Sequence, residues 1–309
     1  MEQNDKVLIR NLVIATVMGI LISRLSIGSM FMTVPLLIAC YHESNLKRMV
    51  TSFVVLLVTV VAWTVIEGRS LLGTEYWAYL IVGLLVSATT IVGSAVWAGS
   101  KNLSSSLMRR LFWACIPAFV LGLGTSLFFT TEAATSTKQL MTATILYLFP
   151  SEQLGFDISS TVSMVVEMAK LYYAPVCILS LCIPVVISDC LSHKYDEQWQ
   201  FDFANMKFPD SYVWVFLASF ILVLLCNFIK TMPEVIMAIA WNLSMSMAIL
   251  YGVAGLSILV SFARRRSTAI TVGRIVATMF LFCLIPGLNA IVLLGLPILG
   301  VLETWIKFR

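Results

Sequence analysis

Charge is what this sequence has least of. Asp, Glu, Lys and Arg make up 12% of its 309 residues, about half the share in an average soluble domain. Twenty basic and sixteen acidic residues cannot coat a 34.3 kDa globule. With 60% apolar residues and a mean hydropathy of +0.95, the main solvent of this chain is lipid, and a water-soluble domain is excluded. The net charge of +4 is divided among separate loops, so there is no basic stripe and nucleic acid is not expected as a partner.

Groups that carry chemistry are equally scarce. The seven cysteines, Cys40, Cys115, Cys177, Cys182, Cys190, Cys226 and Cys283, sit in or beside apolar runs with no C-x-x-C pair. They read as small hydrophobes, not as a disulfide framework or zinc ribbon. Neither a Walker-type loop nor a G-x-G-x-x-G motif occurs. The two histidines, His42 and His193, fall at the ends of apolar runs, so no mid-membrane base stands ready to activate a serine such as Ser94. Asp189, Cys190, His193, Asp196 and Glu197 can be drawn as a metal cluster, but a solvated helix end accounts for them. Catalysis, a metal and a cofactor are therefore not expected. Ion coupling needs ionisable groups at membrane depth, and the span interiors hold almost none.

Long apolar runs are what is present. A bilayer core of about 30 Å takes roughly 20 apolar residues per helix. Segments 49–66, 76–97, 111–129, 172–187 and 212–228 meet this with their flanks, and 235–262 exceeds it. Segments 11–41 and 276–305 are too long for one span and short for two, the second being broken at Pro286-Gly287 and again at Pro297. Each is expected to be a hairpin of short helices. Arg24 closes the first run and no A-x-A site follows, so it reads as a retained helix, not a cleaved signal. The expected fold is all-α, one polytopic transmembrane bundle over 1–309 with about eight to ten membrane segments.

Loop charge orients this bundle. With the N-terminus inside, Lys6, Arg10, Lys47, Arg48, Lys101, Arg109, Arg110, Lys194, Lys207, Arg264, Arg265, Arg266, Arg274, Lys307 and Arg309 are cytoplasmic; Arg24, Arg69, Lys138, Lys170 and Lys230 are outside. That threefold bias predicts both termini inside. Two loops stand out. Residues 130–170, outside, contain an apolar stretch at 140–149, too short to span, that would lie on the membrane or fold over the bundle as a lid. Residues 189–211, inside, mix both signs.

Small residues recur at four-residue spacing: Ala15, Gly19 and Ser23; Ala114, Ala118, Gly122 and Ser126; Ala240, Ser244, Ala248 and Gly252. Such stripes let helix backbones approach closely in lipid, either inside the bundle or against another membrane subunit. The candidate ligand site is an outward pocket of a few polar groups on aromatic walls. Glu167 and Lys170 stand at i and i+3; Glu234 precedes Trp241 and Asn242 by about two turns; Tyr172 and Tyr173 supply rings. Its ligand is unspecified by the sequence.

The C-terminal half carries a resemblance. A basic loop leads to Phe208-Pro209. A helix then runs from Asn242 to Arg264 through Ile249-Leu250-Tyr251 and Ala254-Gly255-Leu256. Pro286 follows, and the chain closes on Leu296-Pro297-Ile298-Leu299-Gly300-Val301-Leu302-Glu303-Thr304-Trp305-Ile306-Lys307-Phe308-Arg309. This resembles the YybS-like family of bacterial membrane proteins, with Glu303 where the family more often has Asp and Ala254 where it usually has Gln. The resemblance implies a multi-pass protein of the bacterial cytoplasmic (inner) membrane. It also implies a distant similarity to the substrate-binding membrane subunits of energy-coupling-factor transporters, which capture a vitamin or metal and dock on a second subunit through small-residue faces. Ala15-x-x-x-Gly19 would be the docking face here. The function so implied is a non-catalytic binding or transport subunit, the alternative being a scaffold that assembles an envelope complex.

Overall fold

A computed structural model describes residues 2–25, 28–69, 77–102, 106–131, 158–229, 231–267 and 269–308, with residue 139. The expected lid at 140–149 and Lys230 lie outside the described residues. Among those residues the chain is entirely helical, with eleven α-helices and no strand. In chain order they are α1 (Glu2–Ile22), α2 (Val34–Tyr41), α3 (Leu46–Glu67), α4 (Trp77–Gly99), α5 (Leu107–Phe128) and α6 (Ile158–Ser192). There follow α7 (Glu197–Ala204), α8 (Tyr212–Phe228), α9 (Glu234–Arg266), α10 (Val272–Leu284) and α11 (Leu288–Leu302).

Four described stretches, Leu46–Glu67, Leu107–Phe128, Ser160–Ser192 and Glu234–Arg266, are long and apolar enough to cross a membrane. Large apolar residues face outward on each: Val58, Val120, Leu179 and Val235 are 59%, 59%, 43% and 45% exposed. At about 1.5 Å per residue, α3 and α5 reach roughly 33 Å and α6 and α9 roughly 50 Å. The second pair therefore projects past the first. Helix α9 is the axis of the bundle, packing against α5, α6, α8 and α11.

The chain alternates direction. Asp5 of α1 meets Arg48 at the start of α3 (3.0 Å), and Arg24 beyond α1 meets Glu67 at the end of α3 (3.0 Å). Helices α1 and α3 therefore run side by side in the same direction, and the chain returns between them through α2. The first hairpin is thus not built of two short helices. Helix α1 has 21 residues and begins at Glu2, because Asp5, Lys6 and Arg10 interrupt hydropathy but not helical structure. Only α2, with eight residues, is short.

The C-terminal pair matches its expectation better. Helices α10 and α11 have 13 and 15 residues, roughly 20 Å each, and turn at Pro286-Gly287, where Gly287 takes φ +88°. A side chain is disfavoured in that region. The second break, expected at Pro297, is absent, and α11 runs straight through it. Gly252 of α9 faces this proline, and a Cβ added there would meet the Pro297 ring at 3.6 Å, an ordinary contact.

Both expected loops contain structure. Residues 158–170 belong to α6, where Val162, Val166 and Lys170 form a buried line at helical spacing. A hydropathy window stops at Glu167 and Lys170; the helix does not. Residues 189–211 hold α7, whose first turn is capped by Asp196 accepting the Trp199 N–H at 3.1 Å. Trp199, Phe203, Met206 and Phe208 are buried. Gln200, 2% exposed, donates to the carbonyls of His193 and Lys194 and accepts the Val272 N–H at 2.8 Å. One amide thereby ties the ends of α6 and α7 to the start of α10.

Candidate functional site

The expected ligand residues divide between two layers. In the outer layer, the Lys170 ammonium on α6 lies 3.0 Å from Glu167 Oε1 and 2.8 Å from Glu234 Oε2, the latter on the first turn of α9. The lysine side chain is 8% exposed, whereas the two carboxylates are 56% and 61% exposed. Lys170 is thus a buried cation whose counter-ions face out. Tyr172 and Trp241 of the same two helices stand edge to face, ring centres 5.5 Å apart, about two turns along α9 from Glu234. Tyr173 does not join this wall. Neighbouring helical residues point about 100° apart, and Tyr173 is buried next to Phe129, which caps the end of α5.

The inner layer belongs to Asn242, which is fully buried. Its Oδ1 accepts the Ala174 N–H at 2.9 Å. Its Nδ2 donates to the Lys170 carbonyl (3.1 Å), the Ala238 carbonyl (2.8 Å) and Ser126 Oγ (2.7 Å). Ser126 in turn donates to the Lys170 carbonyl. The Lys170 carbonyl and the Ala174 N–H are the two groups an uninterrupted α-helix would pair with each other. Pro175 follows directly and disfavours helical geometry at Ala174. The Asn242 amide therefore engages both groups of a rung beside a proline, and joins α5, α6 and α9. It is a structural knot, its two N–H donors shared among three acceptors and its oxygen engaged by the Ala174 N–H, not a free pocket wall. Sequence reading counted Ser126 only as a packing residue; its hydroxyl belongs to this knot.

The small-residue stripes are spent inside the molecule. Ala114, Ala118, Gly122 and Ser126 are all buried, and a Cβ on Gly122 would lie 2.6 Å from Ala174 Cα. Ala15 and Gly19 are buried against the chain's own α2 approach, where a Cβ on Gly19 would meet the Met32 carbonyl at 2.6 Å; Ser23 is half-buried and bonds its own helix. In α9 the stripe fails to hold one face. Ala240 and Ser244 are fully buried, while Ala248 and Gly252 are only half-buried. Four residues turn a helix by about 400°, so the stripe drifts by about 40° per step. The closest crossing is instead at Gly255 and Gly300. A Cβ on Gly255 would overlap the Leu296 carbonyl, and one on Gly300 the Tyr251 carbonyl.

A second polar cluster, which the sequence offered only as a solvated helix end, lies at the opposite end of the bundle. The Arg110 guanidinium stacks 4.2 Å over the Trp97 ring and donates to the Trp97 carbonyl at 3.2 Å. The Trp97 indole donates to Asp189 at 3.3 Å. Lys101 donates to the carbonyls of Cys40 and Tyr41. His193 packs between Tyr41 and Trp199. These groups surround a cavity of about 110 Å³. Burial holds the Lys101 ammonium below its ordinary pKa, and the Arg110 cation pushes the same way against the pull of Asp189. A further cavity of about 210 Å³ is lined by Asn205, Lys207, Glu303 and Lys307. Among the described residues no three His, Cys, Asp or Glu side chains come together as metal ligands, and all seven cysteines are free.

No family model, curated protein or solved structure matches this chain.

Proposed function

We propose that the chain is a non-catalytic, multi-pass subunit of the bacterial cytoplasmic membrane, oriented with both termini inside, that captures a small molecule for transport. One observation carries the reading. Lys170 of α6 meets Glu167 and, across the helix boundary, Glu234 of α9, with both carboxylates exposed, and the same two helices pair Tyr172 with Trp241 about two turns further in. A few polar groups on an aromatic wall is the composition of a small-molecule site, and the exposed acids favour a cationic or amine-bearing ligand. The resemblance to YybS-like proteins, and through them to energy-coupling-factor binding subunits, agrees with it. The test is a thermal-shift screen of the full chain in mild detergent against vitamins, amines and divalent cations. A ligand that stabilises the wild type and loses its effect in Glu234→Gln supports capture. A protein that retains no small molecule and answers to none sinks it.

The knot at Asn242 favours a second reading, a membrane scaffold that assembles an envelope complex. Its amide is fully occupied by protein groups, as in a bundle whose interior serves only packing. On this reading the chain brings down a membrane partner when purified in mild detergent; recovery of the chain alone counts against it.

A further inference from the structure

The cluster at the Arg110 end has more positive charge than its own acid answers. Arg110 and Lys101 face a single carboxylate, Asp189, which already accepts the Trp97 indole. The Arg110 Nε is buried without a hydrogen-bond partner, an arrangement that proteins avoid unless something else takes up the donor. Lys101 spends two N–H groups on the Cys40 and Tyr41 carbonyls, and an ammonium has three. The cavity between them, about 110 Å³, is several times the roughly 15 Å³ that one water needs. It is a size for a tetrahedral oxyanion of a few heavy atoms.

We propose that this cavity, between the ends of α2, α4, α5 and α6, binds a phosphate group. Arg110 would supply the planar fork suited to phosphate oxygens, Lys101 a point charge, and His193 and Ser192 further polar edges. Trp97 keeps the guanidinium in place by stacking. Asp189 opposes the anion and keeps the site from carrying its full double charge when empty. Basic pockets between helix ends take the head groups of acidic phospholipids. The same chemistry accepts free inorganic phosphate, so the source of the phosphate is decided by experiment.

The full chain is purified in mild detergent, stripped of lipid and examined in two arms. The first adds millimolar inorganic phosphate and reads the thermal shift. The second reconstitutes the protein into nanodiscs of phosphatidylglycerol or of phosphatidylcholine and reads retained lipid by native mass spectrometry. Stabilisation in the first arm assigns a free phosphate; selective retention of phosphatidylglycerol in the second assigns a lipid head group. In either arm Lys101→Gln is expected to weaken binding at least tenfold, and Asp189→Asn to tighten it several-fold, an effect that a merely structural carboxylate would not produce. A wild type that takes neither probe overturns the proposal, as does binding that both substitutions leave unchanged. Neither result bears on the Glu167–Lys170–Glu234 cluster, which lies at the other end of α6.

Discussion

Helix α9 makes two close crossings by opposite means. Near its start, Asn242 reaches out and binds backbone and hydroxyl groups of α5 and α6. Near its middle, Gly255 offers nothing at all, and the α11 backbone settles into the gap with Gly300 fitted against Tyr251 in return. Lipid supplies no hydrophobic drive between helices, so contacts must come from close packing or from polar bonds. One helix uses both devices within 14 residues. The amide crossing can yield, because a side chain can rotate. The glycine crossing cannot, because carbonyl meets backbone.

That difference sets an order of effects. Gly300→Leu forces four carbons onto the Tyr251 carbonyl and should cost more than about 3 kcal/mol, the range of severe overpacking. Little folded protein is expected in a detergent-denaturation assay, and wild-type stability would break the comparison outright. Asn242→Ala leaves the Ala174 N–H without its amide acceptor and removes the two N–H donors shared among Ser126, the Lys170 carbonyl and the Ala238 carbonyl. A cost of about 2 kcal/mol is expected, well above the roughly 0.6 kcal/mol averaged by single membrane hydrogen bonds. A cost near that average would mean that the Lys170 carbonyl and the Ala174 N–H suffice for each other without the amide. Glu234→Gln should cost about 0.5–1 kcal/mol, since Lys170 stays buried but keeps Glu167. Lys170→Met should cost less still, because both freed carboxylates are already more than half in solvent. The reverse order would show that the lysine holds the two helices together. The smallest effect belongs to Gly252→Ala. Its nearest neighbour is the Pro297 ring at ordinary contact distance, and the gain in helix propensity offsets any strain, leaving a net change close to zero.

Much of this was legible in the residues. Scarce charge placed the chain in a membrane setting, and apolar runs located α3, α4, α5, α8 and α9 to within a few residues. Glu167, Lys170 and Glu234 were expected together and are together. Other readings failed for identifiable reasons. Hydropathy windows stopped at charged residues, so α1 lost its first turns and α6 its first 14 residues. Pro297 read as a break because a proline removes a hydrogen bond from its own helix, yet α11 continues through it. The four-residue stripe in α9 passed for one face because spacing alone ignores the drift of the helix. Asp189 and His193 looked like a solvated end because nothing nearby in the chain announces Trp97, Arg110 or Tyr41.

Composition and apolar runs were enough for a membrane-like character and an all-helical class. Both follow from averages over many residues, and averages survive ignorance of which residues touch. Only the tertiary structure decided that Asn242 ties a knot, that Gly255 and Gly300 rather than Gly252 mark the closest approach, and that Arg110 keeps an unanswered donor. Those are properties of pairs far apart in the chain. A helix fixes the angle of each side chain about its own axis, but the neighbour found at that angle depends on where every other helix stands.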